Sequence, residues 1–464
     1  MIARALRRGL TAAVLLLAPV GPSAAAPAAK PAAARPAAAA RGSDPRPRSG
    51  ARPRGAARLA FDHDGPPIVL VGAELRSDGR RITDAVIELR GTRIAAVGGP
   101  ELAARAPADA RRIDLRGAIV TPGLVALETA MGAVEIDAEG STRDDTRATP
   151  DPIRAAFDAS SAVHEHSTLL QVAAIDGITS AAITPQGGLV SGSIAWLDLA
   201  GAPGQRVARG GVGMRAHLGQ AVEGSRAATL QRIAELFDDV RFYRDHRGAF
   251  DRNQSRDLAA HRLDLEALVP VVAGTMPLVL SAHGEADLRA AITLAQAGAR
   301  VVVVGGTQAW RMADALARAR IPVLLQPSSN LPGALDHLGA RLDNAALLAA
   351  AGVEVGIAVM GDAHNARNLT QEAGIAVSYG LDPDRALSAI TAVPARALGM
   401  DAHYGAVAPG KVANLVVWRA DPFELSSKPE AVWIRGESIP LVSRQTQLRD
   451  RYLQRLRDTP KARR

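Results

Sequence analysis

Three histidines (His217, His283 and His364), two carboxylates (Glu128 and Asp362) and one arginine (Arg367) stand at or just beyond the ends of short apolar runs. A carboxylate at the end of a strand is a good general base. A neutral imidazole relays protons, binds substrate or ligates metal, and an arginine holds a substrate carboxylate by two parallel hydrogen bonds. The set offers Asp362 as a candidate general base. His217, His283, His364 and Arg367 would then be substrate contacts, and Glu128 and Asp362 the candidate metal ligands. Each group also has a plain structural use, since an acid caps a helix and a rim histidine completes local hydrogen bonds. His164-Glu165-His166 is the H-x-H of the chain, but it precedes a helix-like stretch (169–175). Residues two apart on a helix do not share a face, so it reads as a decoy.

These groups need a scaffold that brings distant strand ends together. Strand-like apolar runs at 119–127, 178–183, 212–216, 277–282, 299–304, 321–325 and 353–360 alternate with helical segments at 285–296, 309–318, 344–351, 367–379 and 383–390. That alternation predicts a parallel α/β fold, a barrel or an open doubly wound sheet. Hairpin-like runs lie outside it on both sides. Residues 67–98 show period-two alternation with turns at Ser77-Asp78-Gly79 and Arg90-Gly91, and 404–418 and 431–436 match them at the far end. Pro185-Gln186-Gly187-Gly188-Leu189-Val190-Ser191-Gly192-Ser193 is Gly-rich but lacks the spacing and Lys of a phosphate loop, and reads as a loop near substrate. Residues 224–265 read as a charged helical insertion. A terminal helix at 444–457, with Leu448, Tyr452, Leu453 and Leu456 on one side, is expected to dock on the barrel or on a partner subunit.

The first 25 residues have the pattern of a cleaved export signal. Arg4, Arg7 and Arg8 precede an apolar run at 10–20, and Ser23-Ala24-Ala25 offers a small-residue cleavage site. Residues 26–62, rich in Ala, Pro and Arg, cannot build a core and read as a disordered tether. The expected location is periplasmic or extracellular. The absence of Cys removes disulfides and thiol chemistry.

The net charge of +8 points at first to nucleic acid, yet residues 1–58 hold 11 Lys/Arg against one acid, Asp44, which leaves the remainder at −2. Few aromatics are available to stack on bases, so nucleic acid is excluded as a partner. The expected partner is a small-molecule substrate. The basic tether adds a weak contact to an anionic envelope, and a homo-oligomer stays open.

Val120-Thr121-Pro122-Gly123-Leu124-Val125 resembles the T-P-G-[LF]-[IV]-D-x-H-x-H opening of the amidohydrolase superfamily. Asp382 to Gly399 resembles its last helices, and Tyr404 to Trp418, through Pro409-Gly410-Lys411, its closing β segment. The resemblance covers about residues 66–437 and is nearest the imidazolonepropionase-like branch. It implies a (β/α)8 TIM-like barrel at 122–401 with a small β-sandwich from both chain ends (66–121 and 402–440), followed by a C-terminal helix and basic tail (441–464). It also implies hydrolysis of a non-peptide carbon–nitrogen bond, amide or cyclic amide, with zinc as the expected metal. The metal motif departs from the family at each strand end. Glu128 and Ala130 stand at the H-x-H positions, Ser281 at the first position of H-A-H-G, and Gly305 at the His of E-H-G-T, while Asp362 keeps the acid. A single divalent metal in a remodelled centre, a metal-free site and a non-catalytic binding barrel all remain open.

Overall fold

The structure, a computed structural model, describes residues 65–146, 150–219, 223–361 and 363–458. The signal and tether readings, the basic tail beyond residue 458, and Asp362 lie outside the described residues.

Among the described residues, sixteen strands form two eight-stranded sheets. The first takes β1 (Ile68–Ser77), β2 (Arg80–Arg90), β3 (Arg93–Gly98), β4 (Arg111–Asp114) and β5 (Ile119–Pro122). From the far end of the chain it takes β14 (Leu415–Trp418), β15 (Pro429–Ile434) and β16 (Glu437–Ser438). Its curvature starts in β1, where Gly72 at φ +85° and two register shifts bend the strand. The first half of β1 therefore pairs with β4 and the second half with β5. The curled sheet encloses its own core of Leu70, Leu75, Ile87, Ile94, Leu415 and Trp433.

The second sheet runs in sequence order through β6 (Leu124–Thr129), β7 (Ile178–Ile183), β8 (Val190–Asp198), β9 (Val207–His217), β10 (Leu278–Ala282), β11 (Val301–Gly305), β12 (Val323–Leu325) and β13 (Val355–Ile357). Adjacent strands are parallel except β8, which is antiparallel to β7 and β9. The sheet is a nearly closed barrel. Its seam is bridged from the segment ahead of helix Ala392–Ala397, where the Val125 amide donates to the Ile390 carbonyl at 2.9 Å. The strands read as continuous apolar runs because both faces are buried. Leu278, Leu280, Val301 and Val303 face the helices, whereas Val279, Val302, Val304 and Leu324 fill the barrel floor with Trp196 and Tyr404.

The run predicted as one strand at 119–127 is split between the two sheets. A Cβ at Gly123 would lie 2.0 Å from the Thr179 hydroxyl oxygen, so the crossing is close enough to demand glycine after Pro122. The latter half of the predicted Gly-rich loop is also a strand, the start of β8, and its glycines at 187 and 188 form the preceding turn.

Asp198, at the far end of β8, is fully buried at the floor of the barrel. It accepts hydrogen bonds from Ser180 Oγ (2.8 Å), Arg435 Nε (2.8 Å) and Tyr404 Oη (3.0 Å), and Arg435, which follows β15, ties the barrel to the first sheet. The 224–265 insertion is helical over Arg226–Asp245 and Arg247–Asp251, and helix Arg262–Val272 follows. The terminal helix Arg444–Asp458 corrects an expectation: none of its residues is buried, so it is not docked on the barrel. Among the described residues, no helix is long and apolar enough to cross a membrane.

Candidate functional site at the barrel mouth

The alternation of β9 turns Gly213, Arg215 and His217 into the barrel, while Met214 and Ala216 pack outward. Arg215 was not singled out by the sequence reading. Its signal is an arginine two residues before His217 in the otherwise apolar run 212–216, which gives both the same facing. Its guanidinium Nη2 lies 3.0 Å from Glu128 Oε2, with both side chains 5% exposed. Nη1 donates to the carbonyls of Ala216 and Val279 at 3.1 and 3.3 Å.

Glu128 sits at φ +56°, an unusual conformation for a residue with a Cβ, and the β6 register shifts there. Burial raises the pKa of its carboxyl group, and the charge of Arg215 opposes that rise. Ala130, the other H-x-H position, is buried and apolar.

His217 Nε2 lies 3.0 Å from Ser191 Oγ at the start of β8. The pair has the spacing of a nucleophile and its base. Burial, helped by the charge of Arg215, lowers the pKa of His217 to about 3, which disfavours proton uptake from a hydroxyl. Ser191 is also fully buried, so the contact fixes the imidazole rather than arming the serine.

His283 follows β10. Its Nδ1 is 2.9 Å from Thr307 Oγ1, and its ring lies 4.6 Å from that of His337. Burial, then the charges of His337 and Arg215, lowers its pKa to about 4. The ring also packs on Gly305, where an added Cβ would approach to 2.3 Å. The imidazole two residues beyond Ser281 thus fills the space a side chain at 305 would take.

The described structure brings Glu128, His217 and His283 together through Arg215. His364 is half exposed, with Nδ1 3.5 Å from Asp137 Oδ2 of the loop after β6. Arg367 corrects an expectation. It is exposed and lines a surface cleft with Asp176, Trp418 and Phe423, because the 3-10 helix Ala363–Asn368 turns it away from the mouth. Asp362 lies outside the described residues, but the turn before it is pinned. Gln326 Oε1 accepts from the Met360 amide at 2.8 Å, and Gln326 Nε2 donates to Glu372 at 3.1 Å.

His164 and His166 stay in the loop before helix Thr168–Ile175. The acid between them, Glu165, accepts from the amides of Gly204 and Arg206.

Residues 264–439 match the amidohydrolase family model. The fold is similar to that of an amidohydrolase from Thermotoga maritima MSB8, with a TM-score of 0.72 and 23% identity over 80% of this chain and 99% of that one. By this sequence match and by fold, the chain is similar to the amidohydrolase superfamily. A 72-residue stretch is 39% identical to amidohydrolase tasK of Hapsidospora irregularis, covering 16% of this chain and 7% of that protein. A 54-residue stretch is 44% identical to imidazolonepropionase of Klebsiella pneumoniae, covering 11% of this chain and 13% of that protein. These matches therefore span only a small part of either curated relative. The structure of molinate hydrolase is similar at a TM-score of 0.52 and 15% identity, over 82% of this chain.

Amidohydrolases commonly carry divalent metal at this mouth. Among the described residues, no group of three or more His, Asp or Glu side chains comes together to hold one. The acid at the first clamp position is already neutralised by a buried guanidinium, and a second cation beside Arg215 would be repelled. The described donor set does not fit the superfamily's metal centre.

Proposed function

We propose that the protein is an amidohydrolase-type hydrolase of a small molecule, acting on a non-peptide carbon–nitrogen bond, amide or cyclic amide, at a remodelled mouth. The observation that carries this reading is the gathering of Glu128, Arg215, His217 and His283 from the ends of β6, β9 and β10 into one barrel mouth, above an apolar floor, in a chain similar to this superfamily. Two imidazoles held neutral serve as hydrogen-bonding contacts for a polar substrate, with Asp362 as the general base for water. Arg215 supplies the fixed positive charge of the site from within the chain. The reading includes export by residues 1–25 and a weak envelope contact through the basic tether.

A second reading, a binding barrel without turnover, is favoured by one observation. The two terminal nitrogens of Arg215 are engaged by Glu128 and two backbone carbonyls, and the Nε left without a partner among the described residues is itself buried, which leaves little to offer a reacting carbonyl group.

The test is a panel of amides and cyclic imides given to the purified protein and to Asp362→Asn, with metal content measured on both. Turnover that disappears in a still-folded Asp362→Asn supports hydrolysis. Ligand-induced thermal stabilisation without turnover replaces it with the second reading.

A further inference from the structure

Helix Arg444–Asp458 leaves the folded body after Ser443, whose hydroxyl accepts from the Thr446 amide at 3.2 Å, and buries none of its residues. Every residue from 451 to 458 is exposed, including Tyr452 at 55%, Leu453 at 43% and Leu456 at 72%. A helix of 15 residues standing alone gains little in water, so the surface that stabilises it lies outside this fold.

Its sequence specifies that surface. Leu448, Tyr452 and Leu456 recur at spacings of four and form one stripe, with Leu453 beside it. Arg444, Arg451 and Arg455, at spacings of seven and four, line one border of the stripe, and the Arg455 guanidinium lies over the Tyr452 ring at 5.4 Å. Residues 444–464 hold eight Lys/Arg and two Asp, a net +6, whereas residues 59–443 sum to −8. Within helix Arg444–Asp458 itself the balance is +3, five Arg against two Asp, on a helix that buries none of its residues.

We propose that this helix lies in the plane of an anionic phospholipid surface, with Leu448, Tyr452, Leu453 and Leu456 at the headgroup–acyl boundary and the flanking arginines on lipid phosphates. Charge complementarity selects this occupant. Pairing with the same helix of a second copy would bring two sets of five arginines together, while an anionic bilayer supplies apolar depth and phosphate side by side. The acidic body is repelled from the same surface, so the contact stays confined to the helix.

The experiment uses the full chain with vesicles of phosphatidylcholine containing phosphatidylglycerol, against phosphatidylcholine alone. Binding is read by co-sedimentation, and amide hydrogen exchange over residues 444–458 is followed in parallel. Leu453→Gln/Leu456→Gln keeps the charge and the helix propensity but removes most of the exposed apolar area. The expected result is binding to the anionic vesicles only, protection of the helix amides when bound, and at least roughly a ten-fold loss in the double variant. Binding unchanged in that variant overturns the proposal, because it assigns the attraction to the basic residues 1–58. A dimer mass by light scattering without lipid, lost in the same variant, also overturns it and makes a second copy the occupant.

Discussion

The guanidinium of Arg215 lies 3.0 Å from the carboxylate of Glu128 inside the barrel, at a position where the superfamily's opening motif would present a metal-binding histidine. The residue at that position is half of an internal ion pair. The pair is too buried to be screened by solvent, so its two members depend on each other.

Arg215→Met is therefore expected to cost about 3–5 kcal/mol, because it strands a buried carboxylate. Glu128→Gln/Arg215→Met should lie closer to the parent than Arg215→Met does, since neither buried charge remains. Urea unfolding of the single and double variants measures this. A cost below about 1 kcal/mol for Arg215→Met would mean that the pair is solvated.

Both mouth histidines link stability to pH. Their folded pKa values, about 3 for His217 and about 4 for His283, lie below the ordinary 6.5 of the unfolded chain. The unfolded state then binds more protons, so their contribution is complete above about pH 6.5 and is lost as pH falls towards 4 and then 3. The limit is roughly 3 kcal/mol for His283 and roughly 5 kcal/mol for His217. His217→Gln should flatten the stability profile between these values, and proton NMR should show neither imidazole titrating near neutral pH.

Gly305→Ala places a methyl group 2.3 Å from the His283 ring, at a backbone φ of +93°. The ring must leave Gly305 or the strand end must shift, at an expected cost of roughly 1–3 kcal/mol. If the ring moves into water, its pKa returns towards the ordinary value, which NMR titration of the variant reads directly. An unchanged His283 titration with unchanged stability would show that the ring does not rest on Gly305.

Metal removal is a fourth check. With no described donor cluster and a resident guanidinium, metal should be well below one per chain. Chelator should then shift the melting temperature by less than about 1 °C, since no native-state binding energy is withdrawn. Stoichiometric metal that stabilises the fold and is lost in Asp362→Asn would instead require a ligand set organised around that acid.

Local chemistry made much of this architecture legible. Pro122-Gly123 marks where the chain crosses from one sheet to the other, because only glycine tolerates Thr179 so close. The apolar runs of β10 and β11 specify strands buried on both faces, and Pro383 after Asp382 marks a helix start, where the aspartate accepts from the amides of residues 384 and 385. The departures from the resembled family motif at Glu128, Ala130, Ser281 and Gly305 are likewise visible in the residues themselves.

What the residue string could not give was which side chains compensate. Arg215 and Glu128 are 87 positions apart, and their contact exists only because the barrel brings β6 and β9 to one interior. His283 covers Gly305 because neighbouring parallel strands set two loops against each other. Arg367 lies on the outer surface because the segment after the acid motif is the 3-10 helix Ala363–Asn368, which contains it, rather than a strand. Periodicity and turn chemistry act over a few residues, so they determined the elements. Facing, burial and charge partners are properties of the closed barrel, and the tertiary structure alone decided them.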